Sequence, residues 1–399
     1  MTGYVLDWLN LAVRWFHMVA GISWIGASFY FVWLDDHLVA PKDNAATADG
    51  VTGELWAVHG GGFYHNQKYL TGPTSQPLPM NLHWFKWEAY LTWISGIAMM
   101  AIVYWAGASA FLIDKSVLNI TPTVAIAISI ATMVVGWLAY DLLCKLLARW
   151  PLLLGVTIYA ALVAASYGLF HVFSARAAYI HVGAIIGTIM VANVFFAIIP
   201  GQHKMLAQIR KGQKPDPTPG IIGKTRSVHN TFFTLPVLFI MISNHYPMTY
   251  ANAWGWLVLA AIGLAGVLVR YFFILSHKDQ IVIALPAAAI AILVIVAIAI
   301  APRPIAPTAA SISPVTFAQV APIFAQRCSV CHAAKPTQAG FTAAPEGILL
   351  DTPAHIKLNA ASVSMQAVQT HNMPLGNLTG MTAAERGLVG RWIDGGAKL

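Results

Sequence analysis

"RCSVCHAAKP", residues 327–336, sets two cysteines and a histidine in the order Cys-x-x-Cys-His. The spacing suits covalent c-type haem: the thiols of Cys328 and Cys331 add across the porphyrin vinyl groups, and the imidazole of His332 takes an axial position on iron. A chance match or a redox dithiol of the thioredoxin kind has the same letters, but no βαβ pattern surrounds these. A second axial ligand should follow downstream. "HNMPLGN", residues 371–377, offers Met373 before Pro374, and a thioether there would raise the reduction potential as a relay toward an oxidase needs. Met365, Met381 and His371 are the alternatives.

The flanks supply one small helical domain. "PVTFAQVAPIFAQ", residues 314–326, has helical spacing of apolar residues, and "TAAERGLVGRWIDGGA", residues 382–397, opens with a capping box from Thr382 to Glu385 and closes on glycines. Two end helices around a haem describe a class I cytochrome c domain over 314–399. Four prolines in "APRPIAPTAASISP", residues 301–314, favour an extended tether over 302–313, at about 3.1 Å per residue, that would let this domain reorient.

Upstream the chain changes character. Of its 399 residues 58% are hydrophobic and only 10% charged, far from a soluble average. Apolar runs long enough for a hydrocarbon layer of roughly 30 Å occur near 8–34, 86–112, 122–145, 150–172, 177–200, 228–245, 251–275 and 280–301. The expected fold is therefore all-α: a polytopic membrane bundle of about eight transmembrane helices over 1–301, plus the cytochrome domain. Two of the three cysteines belong to the haem motif, which leaves Cys144 as an inert helix residue and no disulfide framework.

Haem c is attached outside the bacterial cytoplasm, so the tail is expected in the periplasm, and eight crossings place the N-terminus there too. The basic residues agree. Lys42, Lys68, Lys145, Arg149, Lys204, Arg210, Lys211, Lys214, Lys224, Arg226 and Lys278 fall in or beside inner loops, against Lys115, Arg176 and Arg303 outside before the cytochrome domain begins. The net charge of +8 then reports topology in a bacterial inner membrane, with the lipid bilayer as a partner, and gives no reason to invoke nucleic acid. "MTGYVLDWLN" has no basic n-region of a cleaved signal peptide.

Ionisable residues inside a span mark a site by default. Arg14 and His17 lie three apart on one helical face, where the imidazole would suit a haem iron and the guanidinium a propionate. A histidine hydrogen-bonded to a neighbouring helix is the plainer reading. Toward the cytoplasm gather Glu88, Asp141, His229, Asn230 and Arg270. The long inner loop adds "WAVHGGGFYHNQKY", residues 56–69, in which His59 and His65 flank three glycines and two aromatics. Such glycines let backbone approach a planar ligand; the plainer reading is a flexible turn. No flavin or dinucleotide fingerprint occurs.

Together the apolar bundle, the "WxxHGGGFY" loop, "CSVCH" and "MPLGN" resemble the bacterial membrane-bound urate oxidase (urate hydroxylase) family with a fused cytochrome c, over essentially the whole chain. The resemblance implies oxidation of urate to 5-hydroxyisourate, water supplying the oxygen and electrons leaving through the cytochrome to a terminal oxidase or soluble cytochrome. For the planar urate anion, Arg270 is the candidate counter-charge, and Glu88 or a histidine such as His229 the candidate proton acceptor. Electrons crossing from a cytoplasmic pocket need a relay, so a b-type haem is expected on His17, with His181 or His229 as second ligand. A quinol-oxidising electron-transfer module and a transporter with a regulatory cytochrome are the competing readings.

Overall fold

The computed structural model describes residues 2–301, 314–339 and 341–399, apart from the side chains of residues 2–4 and 7. The Pro-rich tether expected at 302–313 lies outside the described residues. The N-terminal part runs α1 (Thr2–His37), α2 (Asn44–Ala48), a hairpin of β1 (Val51–His59) and β2 (Gly62–Tyr69), α3 (Trp87–Met99), α4 (Pro122–Leu146), α5 (Pro151–Phe170), α6 (Ala175–Ala192), α7 (Ile199–Arg210), α8 (Thr218–Ser243), α9 (Pro247–Tyr250), α10 (Gly255–Ser276) and α11 (Ala284–Ala299). The C-terminal part holds α12 (Phe317–Arg327), α13 (Pro353–Leu358), α14 (Ala360–Val363) and α15 (Ala383–Asp394).

Local chemistry explains most boundaries. Proline at the first turn starts α4 and α5, and the Thr121 hydroxyl accepts a hydrogen bond from the Val124 N–H at the α4 N-terminus. Among the described residues five helices are long and apolar enough to cross a membrane: Trp8–His37, Pro122–Leu146, Pro151–Phe170, Ala175–Arg210 and Gly255–Ser276. The other three expected spans fall short of that measure for visible reasons. The segment 86–112 leaves α-helical winding after Met99 and continues as wider π turns at Met100–Trp105 and Ala108–Leu112, broken at Gly107. Helix α8 carries Arg226, Asn230, Thr231 and Thr234 buried in its first two-thirds, which dilutes its apolar run. Helix α11 is apolar but has only 16 residues.

Helix α6 is the centre of the bundle. Of the apolar window in Ala175–Arg210, 61% is buried, against 11% in α1, which therefore lies at the edge and packs chiefly on α3. Close approach at α6 depends on small residues. A Cβ at Gly183 would come within 2.7 Å of Ile240 Cγ2 on α8, and one at Gly136 on α4 within 2.6 Å of Ile185 Cγ2. Without a hydrophobic force between helices in lipid, such tight packing supplies much of the association energy.

The hairpin is the departure from an all-α chain. Gly60 (φ +59°) and Gly61 (φ +81°) form its two-residue turn, with His59 paired to Gly62. Positive φ at both central positions matches the right-handed twist of the strands, and glycine adopts it without strain. The glycine run is thus part of a β-turn. Lys68 at the base of β2 pairs with Asp35 on α1, and so does Lys224 of α8, which fastens the hairpin to one end of the bundle.

The C-terminal part has its own core, with Val320 and Phe324 of α12 against Val389 and Trp392 of α15. The Thr382–Glu385 capping box forms as expected. This part rests on the bundle end opposite the hairpin, where the Leu375–Asn377 turn contacts the Ala108–Leu112 segment.

Candidate functional site

On the C-terminal part, one helical turn carries the Cys-x-x-Cys-His residues: the N–H groups of Cys331 and His332 bond to the Cys328 carbonyl at 3.1 and 2.9 Å. His332 Nδ1 lies 2.9 Å from the Ile348 carbonyl. Donation there leaves Nε2 as the free lone pair, the arrangement of an iron-ligating histidine. Burial pushes the Cys328 thiol up to about 12, with Cys331 beside it adding to the shift. A redox dithiol needs the reverse, a lowered thiol. Among the alternative ligands, Met381 is buried in the core with Trp392 and Met365 is exposed, whereas Met373 and Cys328 each pack, partly buried, against that core. Arg386 holds the Met373 carbonyl at 2.6 Å. Two thiols, an imidazole with a free Nε2 and a thioether are the donor types that a covalent c-type haem takes, and Cys328, Cys331, His332 and Met373 are the residues that would hold one.

Inside the bundle, sequence-expected and unexpected residues meet in one buried network toward the hairpin end. His229 Nδ1 lies 2.8 Å from Tyr140 Oη, which accepts from Asn193 Nδ2 at 3.0 Å. Asn193 also donates to Asn230 Oδ1 at 2.9 Å and accepts from Arg226 Nη1 at 3.2 Å. Arg226 closes the chain on Asp141 at 2.7 Å, its guanidinium 4.9 Å from the centre of the Tyr140 ring. Asn193 opens the π turn Asn193–Ile198 at the end of α6, and such local widenings are frequent at functional sites. Tyr140 and Asn193 escaped the sequence reading, and Arg226 entered it only as an inner-loop charge. An Asn within the apolar run 177–200 was the available signal.

Arg270 stands apart from that network. It is 4% exposed and stacks on Phe29 of α1 at 4.6 Å, yet its Nε and Nη2 have no hydrogen-bond partner among the described residues. Asp36 supplies the nearby opposite charge without reaching it in an ion pair, and His277 is 3.7 Å from Asp36, too long for a hydrogen bond. On α3, Glu88 Oε2 is likewise buried and unpartnered. Orphaned donors and acceptors of this kind are expensive unless a ligand satisfies them.

The remaining expected residues are scattered. His17 turns its Nδ1 to the Thr92 carbonyl and Ser95 Oγ, both at 2.9 Å, across the α1–α3 contact, and its Cε1 would lie 3.3 Å from a Cβ at Gly96. Its position midway along α1 does not make it the most buried histidine, because α1 is peripheral. That residue is His181, fully enclosed, with Nδ1 on the Ala177 carbonyl at 2.7 Å and Nε2 on Ser129 Oγ at 2.6 Å. No hydrogen bond or ring contact joins His17 to His181 or His229 among the described residues. Arg14 is exposed on α1 and bonds to Asn10. His65 stacks on Trp56 at 4.3 Å and bonds to Glu54 at 3.0 Å, while His59 sits at the exposed hairpin turn, so neither meets the bundle network.

No curated protein and no solved structure matches the chain. A family model does, described as urate oxidase N-terminal, over residues 3–301. That span takes in α1 to α11 with the hairpin, the Arg226 network and the unpaired Arg270, and the chain accordingly belongs to the urate oxidase N-terminal family.

Proposed function

We propose that the bundle oxidises urate to 5-hydroxyisourate near its hairpin end and that the electrons leave through a c-type haem on the C-terminal part. Family membership supports an oxidoreductase acting on urate. The observation that carries the placement is Arg270, a buried guanidinium on an aromatic ring with two donors free. A planar purine monoanion offers what this group lacks: two acceptors in a plane and a negative charge.

The balance is urate plus water to 5-hydroxyisourate, two electrons and two protons. Arg270 would hold the anion, Phe29 would exclude water from one side, and the unpartnered Glu88 carboxylate or the His229 imidazole would take up a proton as water adds. The haem, when bound, supplies a one-electron acceptor. A b-type haem on His17 remains part of the proposal, with His229 the better second ligand, since both nitrogens of His181 are engaged; His229 in that role would leave proton uptake to Glu88. The long apolar helices fit a membrane location. Lys145, Lys224 and Lys278 at the hairpin end favour a cytoplasmic face there, with the C-terminal part in the periplasm and an oxidase or soluble cytochrome as acceptor.

Urate added without oxygen to purified protein tests the reading. Each urate should reduce two equivalents of haem c, read from its absorption bands. Reduction by a quinol with none by urate would favour the quinol-oxidising alternative.

A further inference from the structure

The loop carrying Met373 is not free of the membrane part. Asn372 Oδ1 accepts a hydrogen bond from Tyr250 Oη at 3.3 Å. At Gly376 a Cβ would come within 2.6 Å of the Ile113 carbonyl oxygen and 3.0 Å of the Ala110 carbonyl oxygen, and φ there is +54°. Glycine is required twice over: the left-handed backbone disfavours a side chain, and two carbonyls of the bundle occupy the place one would fill. Arg386, which grips the Met373 carbonyl, also feels the charge of Asp114 just beyond Ile113. Beneath the seam lie aromatic rings. Tyr250 is 5.6 Å from Tyr179, and Tyr104 is 6.5 Å from Phe111 and 6.3 Å from His181.

We propose that this seam is the port through which electrons pass from the bundle to the cytochrome, entering on the Met373 side, and that Gly376 is a positioning residue for it. The proposal rests on the haem and urate readings above. The two electrons lost by each substrate molecule would cross singly, each to the one-electron acceptor that Cys328, Cys331, His332 and Met373 would hold, and no proton or group would cross with them. The partner engaged is a segment of this same chain, so the face of the C-terminal part turned away from the bundle is left for the external acceptor.

Two variants test it in the full-length protein. Gly376→Val should force the seam apart, slowing urate-driven haem reduction several-fold. Reduction by ascorbate with a small mediator, and the thioether-to-iron absorption band, should stay as in the parent. Loss of that band would show that the change acts on the Met373 ligand instead, and would overturn the positioning role. In the second variant, Tyr250→Cys with Asn372→Cys, a short bis-maleimide should join the pair in high yield without substrate, and the joined protein should still reduce its haem with urate. Absent cross-linking, or a joined protein that no longer passes electrons, would overturn the port. Cross-link yield is read without urate, so a parent protein that urate fails to reduce counts only against the function proposed above.

Discussion

Replacing Arg270 by methionine should separate stability from binding. In the substrate-free protein the guanidinium has two orphaned donors, Nε and Nη2, at 4% exposure. Each buried donor without a partner costs about 1–3 kcal/mol, and the stacking on Phe29 at 4.6 Å returns about 0.5–2 kcal/mol. Methionine fills a similar volume and needs no partner. Arg270→Met is therefore expected to leave the substrate-free protein as stable as the parent, or more stable by up to about 4 kcal/mol. Binding should move the other way. Two charge-assisted hydrogen bonds, at about 1.5 kcal/mol or more each, amount to at least about 3 kcal/mol, and urate affinity should fall on the order of a hundredfold. Arg270→Lys keeps the charge but loses the planar fork, and should fall between. Thermal unfolding in detergent without urate and a urate titration of the oxidised protein read the two quantities. A marked drop in unfolding temperature without substrate would mean that Arg270 is a structural counter-ion to Asp36, and unchanged affinity would remove it from the site.

Other expectations follow from single contacts. Asp141→Ala strips the carboxylate from Arg226, which is 7% exposed, and should destabilise the bundle by about 3 kcal/mol; adding Arg226→Met should restore much of that in the same melt, and a failure to recover would argue against the pair. Met373→Ala should leave haem covalently attached, lower its reduction potential and remove the thioether band, whereas a variant at exposed Met365 should change neither. Partial burial of Glu385 works to raise its pKa, but the Thr382 N–H and the Arg327 guanidinium outweigh it and hold the carboxyl below the ordinary glutamate value. A depressed carboxylate contributes stability that is fully present above the unfolded value and lost as pH falls through the folded one. Melts of the C-terminal part within the full chain should thus weaken as pH drops below about 4.5, and Glu385→Gln should flatten that slope; an unaltered slope would assign it to other groups.

Much of the architecture was legible because it depends on local chemistry. Cys328, Cys331 and His332 stand within five positions, and one helical turn brings them together whatever the rest of the chain does. The Thr382–Glu385 capping box is equally local. Long apolar runs marked most bundle helices, because partition into hydrocarbon follows composition. The same measure overstated continuity at 86–112, where π turns and Gly107 interrupt the winding.

Pairing across the fold was not legible. Nothing near Asp141 in the chain marks Arg226 as its partner 85 residues on, or Asn193 as the bridge to Tyr140 and His229. Glu88, Arg270 and His229 looked alike as buried polar groups; only packing decides that His229 is bonded while Arg270 and Glu88 are left wanting a ligand. The glycines at 60 and 61 answer to a hairpin twist, and Gly376 to carbonyls on a segment more than 260 residues earlier. By itself, then, the sequence determined the Cys-x-x-Cys-His turn, the apolar helices and the local caps, since each is settled within a few turns of chain. Which polar groups are satisfied, which are free, and where the C-terminal part sits on the bundle were decided by tertiary structure alone, because hydrogen bonds and close packing depend on distances in space that separation along the chain does not encode.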